Sequence, residues 1–343
     1  MVKVNRRTFV AASAALAAGG LRFAALAAAP PMARVICDND WSGDPDGLFQ
    51  LAQHVLSPSI DIPLIVGSNV PTDMPWTKSR TPASEARDKA DELLGVMRRS
   101  GKYRVLAGSE TAIRSRAEAR PSPATAAIVA EAMREDAPGK LVYAAGAGLT
   151  ELALAWLAEP RIGKRVRLIW IGGNEHPGLA LPPPGPPQRE FNLSIDPLAA
   201  QIVFNESDIE IWQVPRDVYR QLLVSSAELA ELRASGTLGR YLVGQIDRVA
   251  EEVSRIPFFA DKPRSETYVL GDSPLVTLTA LQTFFEPDPA SSSYSQFPTP
   301  RLALDGTYGD NPAGRPMRVY TRIDTRLTFA DMVAKFKAAD AAL

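Results

Sequence analysis

The sequence predicts an α/β fold: a single doubly wound domain with a mostly parallel central sheet and extra C-terminal helices. Short apolar runs alternate with longer stretches of helical periodicity, an order that requires parallel strand pairing through right-handed crossovers. The runs are apolar throughout rather than alternating, as strands are when helices cover both sheet faces. A chain of 343 residues, 45 % hydrophobic and 22 % charged with a formal net charge of −1, has the composition of an ordinary soluble globular protein. With neither a basic balance nor a Lys/Arg-rich run, nucleic acid and anionic membrane are excluded as main partners.

Residues 1–30 stand apart from the domain, which is expected over 31–343. "NRRTFVAASAALAAGGLRFAALAAAPP" has a charged start, an Ala-rich apolar stretch and small residues suited to cleavage, the plan of an export signal. Arg6-Arg7 followed by Thr8-Phe9-Val10 resembles the bacterial twin-arginine type. Arg22 and Gly19-Gly20 break the run below the roughly 20 apolar residues that a membrane span needs. The mature protein is therefore expected to be periplasmic or secreted, with no membrane contact after cleavage.

The first strand is "ARVICDND", followed by the helix "PDGLFQLAQHVLS". Next come "DIPLIVGSN" with "SEARDKADELLGVMRRS", "YRVLAGS" with "ATAAIVAEAMRE", and "LVYAAGAG" with "LTELALAWLAEP". "RVRLIWIGGN" and "DIEIWQVP" complete the strands. The proline-rich stretch His176 to Asn192 suits neither a helix nor a central strand and reads as a shaped surface loop or lid. Ser226 to Phe285 is helix-rich, its apolar positions at core spacing. Asp305 to Tyr320 is turn-rich, and the sequence leaves open whether it forms a rim loop.

In such sheets ligands bind beyond the carboxyl ends of the strands. There the first strand runs into Asp38, Asp40, Asp44 and Asp46, four aspartates within nine residues. So much crowded negative charge needs a cation or strongly shifted pKa values. Cys37 is the only cysteine and reads as a small buried hydrophobe, and the only histidines are His54 and His176. A zinc site of His and Cys is thus nearly excluded, and any metal must be held by oxygen, which favours Ca²⁺ or Mg²⁺. A solvated helix-capping turn accounts for one or two of the four acids. An EF-hand loop needs a Glu at position twelve, where this chain has Phe49, and a helix before it, where this chain has a strand.

Asp38-Asn39-Asp40-Trp41-Ser42-Gly43-Asp44-Pro45-Asp46 resembles the D-x-D-P-G-x-D-D signature of the Ca²⁺-dependent inosine/uridine-preferring nucleoside hydrolases, with one residue more and Trp-Ser for Pro-Gly. Gly146 to Asn174 resembles the G-x-L-T-N helix and M-G-G strand end of that family. Glu190 to Ser207 resembles its E-F-N segment, "VLGDSPLVTLTAL" its late H-D-x-x-A motif, and "VGSN" its V-G-N. The resemblance runs through nearly the whole mature chain.

It implies a nucleoside hydrolase-like fold, a small-molecule nucleoside or related riboside as substrate, and a homo-oligomer. It also implies a Ca²⁺ cofactor held by Asp40, Asp46, Asp272 and a main-chain carbonyl near Gly146, with Asp40 also the base acting on a Ca²⁺-bound water. Asp38 is implied as an inner supporting carboxylate, and Asp44, Asn69, Glu190 and Asn192 as ribose contacts. The inserted residue leaves the division of roles between Asp44 and Asp46 open. The chemistry is consistent: carboxylates stabilise an oxocarbenium-like sugar, as in O-glycosidases.

The family's histidine beside the late aspartate is Gly271 here. His176, in the proline-rich loop, either reaches over the site in its place or is a solvated loop residue. Trp41, inside the signature, is expected at the cleft as a substrate contact, and Tyr268 as either cleft or core. Two other functions stay open: a calcium-dependent nucleoside- or sugar-binding protein without turnover, and a hydrolase of a different glycosidic bond.

Overall fold

A computed structural model describes residues 31–71, 79–256, 265–283 and 285–342. The export-signal segment 1–30 lies outside the described residues. Among the described residues, no helix is long and apolar enough to cross a membrane.

The sheet is built from β1 (Ala33–Asn39), β2 (Ile60–Gly67), β3 (Val105–Ala107), β4 (Leu141–Ala145), β5 (Val166–Ile171) and β6 (Glu210–Val214). Later in the chain come the short β7 (Leu223–Ser225) and β8 (Thr267–Val269), β9 (Ser293–Pro298), the small pair β10 (Arg301–Leu302) and β11 (Tyr308–Gly309), and β12 (Pro316–Arg322). Its order is β3-β2-β1-β4-β5-β6-β12-β9, parallel throughout except where β9 runs antiparallel to β12 at the edge. The doubly wound, mostly parallel sheet is as expected, and β9 and β12 extend it past the six strands read from the sequence. β12 takes the end of the turn-rich stretch, where pairing between β6 and β9 buries Met317, Val319 and Tyr320 to 1 % exposure each.

The helices α1 (Asp46–Val55), α2 (Pro82–Val96), α3 (Thr125–Ala132) and α4 (Thr150–Ala158) cross over between the first strands. They lie on opposite faces, and β1 shows why its run has no polar partner: Val35 and Cys37 enter one core with Leu51 and Leu93, while Ile36 enters the other with Ile128 and Leu152. After β5 come α5 (Phe191–Ile195) and α6 (Pro197–Asn205). The passage from β6 to β12 carries α7 (Arg216–Tyr219), α8 (Ser226–Ser235), α9 (Thr237–Ser254) and α10 (Pro274–Thr277), and α11 (Thr325–Ala342) is the expected C-terminal helix.

Two features of this frame position the site. The strand order reverses at β1, which pairs β2 on one side and β4 on the other, opening a crevice beyond their carboxyl ends. Between β6 and β12 the chain returns over that crevice, where the antiparallel β7–β8 pair and a Leu270 N–H to Leu222 carbonyl bond of 2.8 Å fix the backbone just before Asp272.

Candidate active site

At the end of β1, successive side chains take different surroundings, as the pleat demands. Asp38 turns into the interior, where it is 1 % exposed and its two oxygens accept the hydroxyls of Ser68 and Tyr143. Burial pushes its carboxyl up to about 7, against the pull of those two hydroxyls. Asn39, fully buried, accepts the Asp40 N–H at 2.9 Å and donates from Nδ2 to Asp272 Oδ2 at 2.7 Å. Its amide fills the space in which a Cβ on Gly47 or Gly146 would stand, 2.7 and 2.3 Å from Nδ2.

Asp46 opens α1, where the helix dipole favours its charge, and its Oδ1 accepts the Gly47 N–H at 2.8 Å. Its Oδ2 accepts the Asp272 N–H at 3.2 Å, joining the amino-terminal cluster to the late segment. Burial, then the charges of Asp272 and Asp44, push the Asp40 and Asp46 carboxyls well above the usual carboxylate range. Asp272 is pushed up to about 7 by burial, with the Asn39 amide opposing. Asp44 is exposed at the rim, where its Oδ1 accepts from the Asp46 N–H at 3.1 Å and the Tyr268 hydroxyl at 2.8 Å.

More of the lining comes from the ends of β4 and β5 and from α5. Asn192 donates from Nδ2 to the Gly146 carbonyl at 3.0 Å and the Ile171 carbonyl at 2.8 Å, which commits both of its amide hydrogens. Glu190 is 1 % exposed and accepts from four donors: the N–H groups of Gly173, Asn192 and Leu193, and the Tyr219 hydroxyl. Together these residues enclose a cavity of about 390 Å³, which Arg216, Tyr219 and Arg220 also line.

Among the described residues, no three His, Cys, Asp or Glu side chains are drawn together into a formed metal cage. The donor chemistry nevertheless suits a hard cation. Asp40, Asp46, Asp272 and the Gly146 carbonyl offer only oxygen, and the cations that line the cavity are two arginines, Arg216, which is paired with Glu175, and Arg220. The charge of Asp272 raises both Asp40 and Asp46, and Asp40 raises Asp46 further, so a divalent ion among them would turn repulsion into attraction.

The structure thus brings Asp40, Asp44, Asp46, Gly146, Glu190, Asn192 and Asp272 to one cavity, with Asp38 buried at the end of β1. Three expectations are corrected. Trp41 does not face the cleft: it is 1 % exposed in the core, its indole N–H donating to the Val66 carbonyl at 3.1 Å, because a ring that size is better desolvated than left at a charged rim. His176 neither overhangs the site nor stands solvated. It is 3 % exposed, stacked on Tyr308 with ring centroids 4.0 Å apart and bonded through Nε2 to Gln213 Oε1 at 2.8 Å, and burial pushes its imidazole down to about 4. Asn69 is also buried away from the cavity lining, 3.4 Å from the Thr150 hydroxyl.

Sequence reasoning missed Asn39, Arg216, Tyr219 and Arg220. Asn39 was visible as a polar residue ending an apolar strand. The three residues of α7 and its C-terminal end carry no signal beyond following β6, and only the fold turns them toward the acids.

Comparison with known proteins agrees with this architecture. Residues 47–336 match the family model described as inosine-uridine preferring nucleoside hydrolase. An inosine-uridine preferring nucleoside hydrolase of Crithidia fasciculata is 28 % identical over 211 residues, 59 % of this chain and 60 % of that protein. One from Leishmania major is 36 % identical over 111 residues, 32 % of this chain and 33 % of that protein. The chain therefore matches less than two thirds of the length of either relative. Among solved structures, a plant nucleoside hydrolase superposes with a TM-score of 0.66 at 20 % identity, covering 90 % of this chain and 100 % of that one. A purine-preferring ribonucleoside hydrolase from Gardnerella vaginalis gives 0.66 at 18 % identity over the same shares. At such identities the superpositions speak for the fold, while the family model spans most of the sequence: the chain belongs to the inosine-uridine preferring nucleoside hydrolase family.

Proposed function

We propose that the protein hydrolyses the N-glycosidic bond of ribonucleosides, releasing base and ribose, with Ca²⁺ as its metal. The observation that carries the reading is the meeting of Asp40, Asp46 and Asp272 with the Gly146 carbonyl around one cavity, at the point where strand order reverses. Asp40, Asp46, Asp272 and that carbonyl would hold the ion. Bound there, Ca²⁺ would orient the attacking water and the vicinal hydroxyls of the sugar.

Asp40 serves as the base, taking the proton of the water that attacks the anomeric carbon. The remaining carboxylates face the positive charge that develops on the sugar ring as the bond to the base breaks. Asp44 at the rim and the Asn192 side-chain carbonyl, whose amide hydrogens are already committed, accept ribose hydroxyls. Glu190, with four donors already on its oxygens, holds α5 and the Tyr219 hydroxyl in place beside the sugar.

Purified protein supplied with calcium should hydrolyse at least one nucleoside in a panel, and a chelator should abolish the turnover. Asp40→Asn should lower kcat by about 10²- to 10⁴-fold, the range for loss of a general base. A panel without turnover while calorimetry reports bound calcium would reject the reading. Export is part of the same proposal: cell fractionation should find the protein outside the cytoplasm, and Arg6→Lys with Arg7→Lys should retain it inside. Assembly into a homo-oligomer is checked by light scattering.

A further inference from the structure

A string of buried polar side chains lies behind the acids and lines no part of the cavity. Gln50 and His54 follow Asp46 at helical spacing on one face of α1, and both are fully buried. Besides its bond to Asp272, Asn39 Nδ2 donates to Gln50 Oε1 at 3.5 Å, the longest link of the string. Gln50 Nε2 meets His54 Nδ1, and His54 Nε2 meets the Thr279 hydroxyl at 2.9 Å. That hydroxyl donates to the Leu275 carbonyl at 2.6 Å. Asp272, Leu275 and Thr279 belong to one short stretch around α10, so the bonds leave that stretch at Asp272 and return to it.

The direction of every bond is forced from the two ends. The Leu275 carbonyl can only accept, so the Thr279 hydroxyl donates there and receives the Nε2–H of His54. At the other end the Asp40 N–H can only donate, so Asn39 presents Oδ1 to it and turns Nδ2 toward Asp272 and Gln50. Gln50 must then offer Oε1 to Asn39 and Nε2 to His54, which requires an Nδ1 free of a proton. Cys37 agrees with this: burial pushes its thiol up to about 12, so it keeps its proton and is a second donor to Nδ1, 3.7 Å away. The opposite tautomer would reverse the Gln50 amide and set its NH2 group against that of Asn39, donor against donor between two fully buried side chains.

We propose that Gln50 and His54 are positioning residues of the hydrolytic site: the Nε2–H tautomer of His54 orients the Gln50 amide, which keeps Asn39 turned with Nδ2 on Asp272 and Oδ1 on the Asp40 N–H. This rests on the hydrolase reading above. A reversed Asn39 would set its oxygen against the Asp272 carboxylate and its NH2 group against the Asp40 N–H, displacing two of the acids that would hold the ion. Groups one step behind metal ligands typically account for about 10- to 100-fold in metal affinity or activity.

Two variants cut the string at side chains that bond neither acid. Gln50→Leu should weaken calcium binding, read by calorimetry, by about 10- to 100-fold, and lower kcat/KM for a nucleoside that the wild type hydrolyses. Thr279→Val removes one hydroxyl at constant shape and should weaken calcium binding by a smaller factor, while Thr279→Ser should restore it. In the double variant, Thr279→Val should add nothing to Gln50→Leu, because the string is already cut. With only two histidines in the chain, long-range proton–nitrogen spectra of nitrogen-labelled protein resolve His54, whose Nδ1 should be the unprotonated nitrogen. A protonated Nδ1, or variants that lose thermal stability while binding calcium as the wild type does, overturns the proposal and leaves the hydrolase reading standing. A wild type that binds calcium but turns over no nucleoside in the panel overturns the hydrolase reading, and the role of Gln50 and His54 in hydrolysis with it.

Discussion

Asn39 Nδ2 donates to the Asp272 carboxylate across 2.7 Å, joining residues 233 positions apart at the floor of the cavity. The same side chain accepts the Asp40 N–H at 2.9 Å, so one neutral amide sets the spacing between an acid of the first strand and the late acid. Asn39→Leu keeps the approximate volume and removes both bonds. It should destabilise the fold by about 1–3 kcal/mol, the cost of leaving a buried acceptor without its donor. Calcium affinity measured by calorimetry should weaken with it; unchanged affinity would show that Asp272 holds its position without the amide.

Gly146 lies where the Asn39 amide and the Asp272 carboxylate close over the end of β4. A methyl group there would stand 2.3 Å from Asn39 Nδ2 and 2.8 Å from Asp272 Oδ2, so those side chains must move. Gly146→Ala should cost about 1–3 kcal/mol as an overpacked site and should displace Asp272. The check is a nucleoside assay beside a thermal melt: wild-type turnover in the variant would show that the cluster tolerates the shift.

Trp41 is a core residue within the acidic signature, so its loss should be felt in stability and not in turnover. Trp41→Phe removes the bond to the Val66 carbonyl and leaves a small void. Denaturant unfolding should report a loss of about 1–3 kcal/mol, with kcat near wild type. A variant of normal stability but depressed kcat would place the ring at the substrate after all.

Acid should destabilise the protein partly through His54. Burial first, then the nearby Lys335 charge, hold its imidazole down to about 3 from an ordinary 6.5. The folded state therefore keeps it neutral while the unfolded chain takes up a proton below pH 6.5. Its contribution is complete above 6.5 and drains away as pH falls toward 3, at up to about 1.4 kcal/mol per pH unit. His54→Gln should flatten the fall in unfolding free energy between pH 6.5 and 4; an unaltered slope would assign it to other groups.

Much of the fold was legible because its signals are local. The continuous apolar character of "RVIC" marks a strand covered on both faces, and Val35 and Ile36 do enter opposite cores. The cluster Asp38 to Asp46 marked a functional strand end because a helix-capping turn accounts for only one or two of four acids in nine residues. β12 was harder to read, since its strand character rests on burial beside β6 rather than on its turn-rich flank.

What the sequence determined by itself is the order of the first six strands with the helices between them, the family, and the acids at the end of β1, since periodicity and charge crowding act between residues close in the chain. What only the tertiary structure decided is which side chains face one another. Trp41 and His176 went into the interior, where aromatic rings lose contact with water and stack on neighbours. Tyr219 and Arg220 came to the cavity because the passage after β6 returns over the crevice, and Glu190 was filled by donors from the turn after β5, from α5 and from α7. Such meetings depend on crossovers between distant segments, and the reach of a side chain into a shared cavity leaves no periodic trace along the chain.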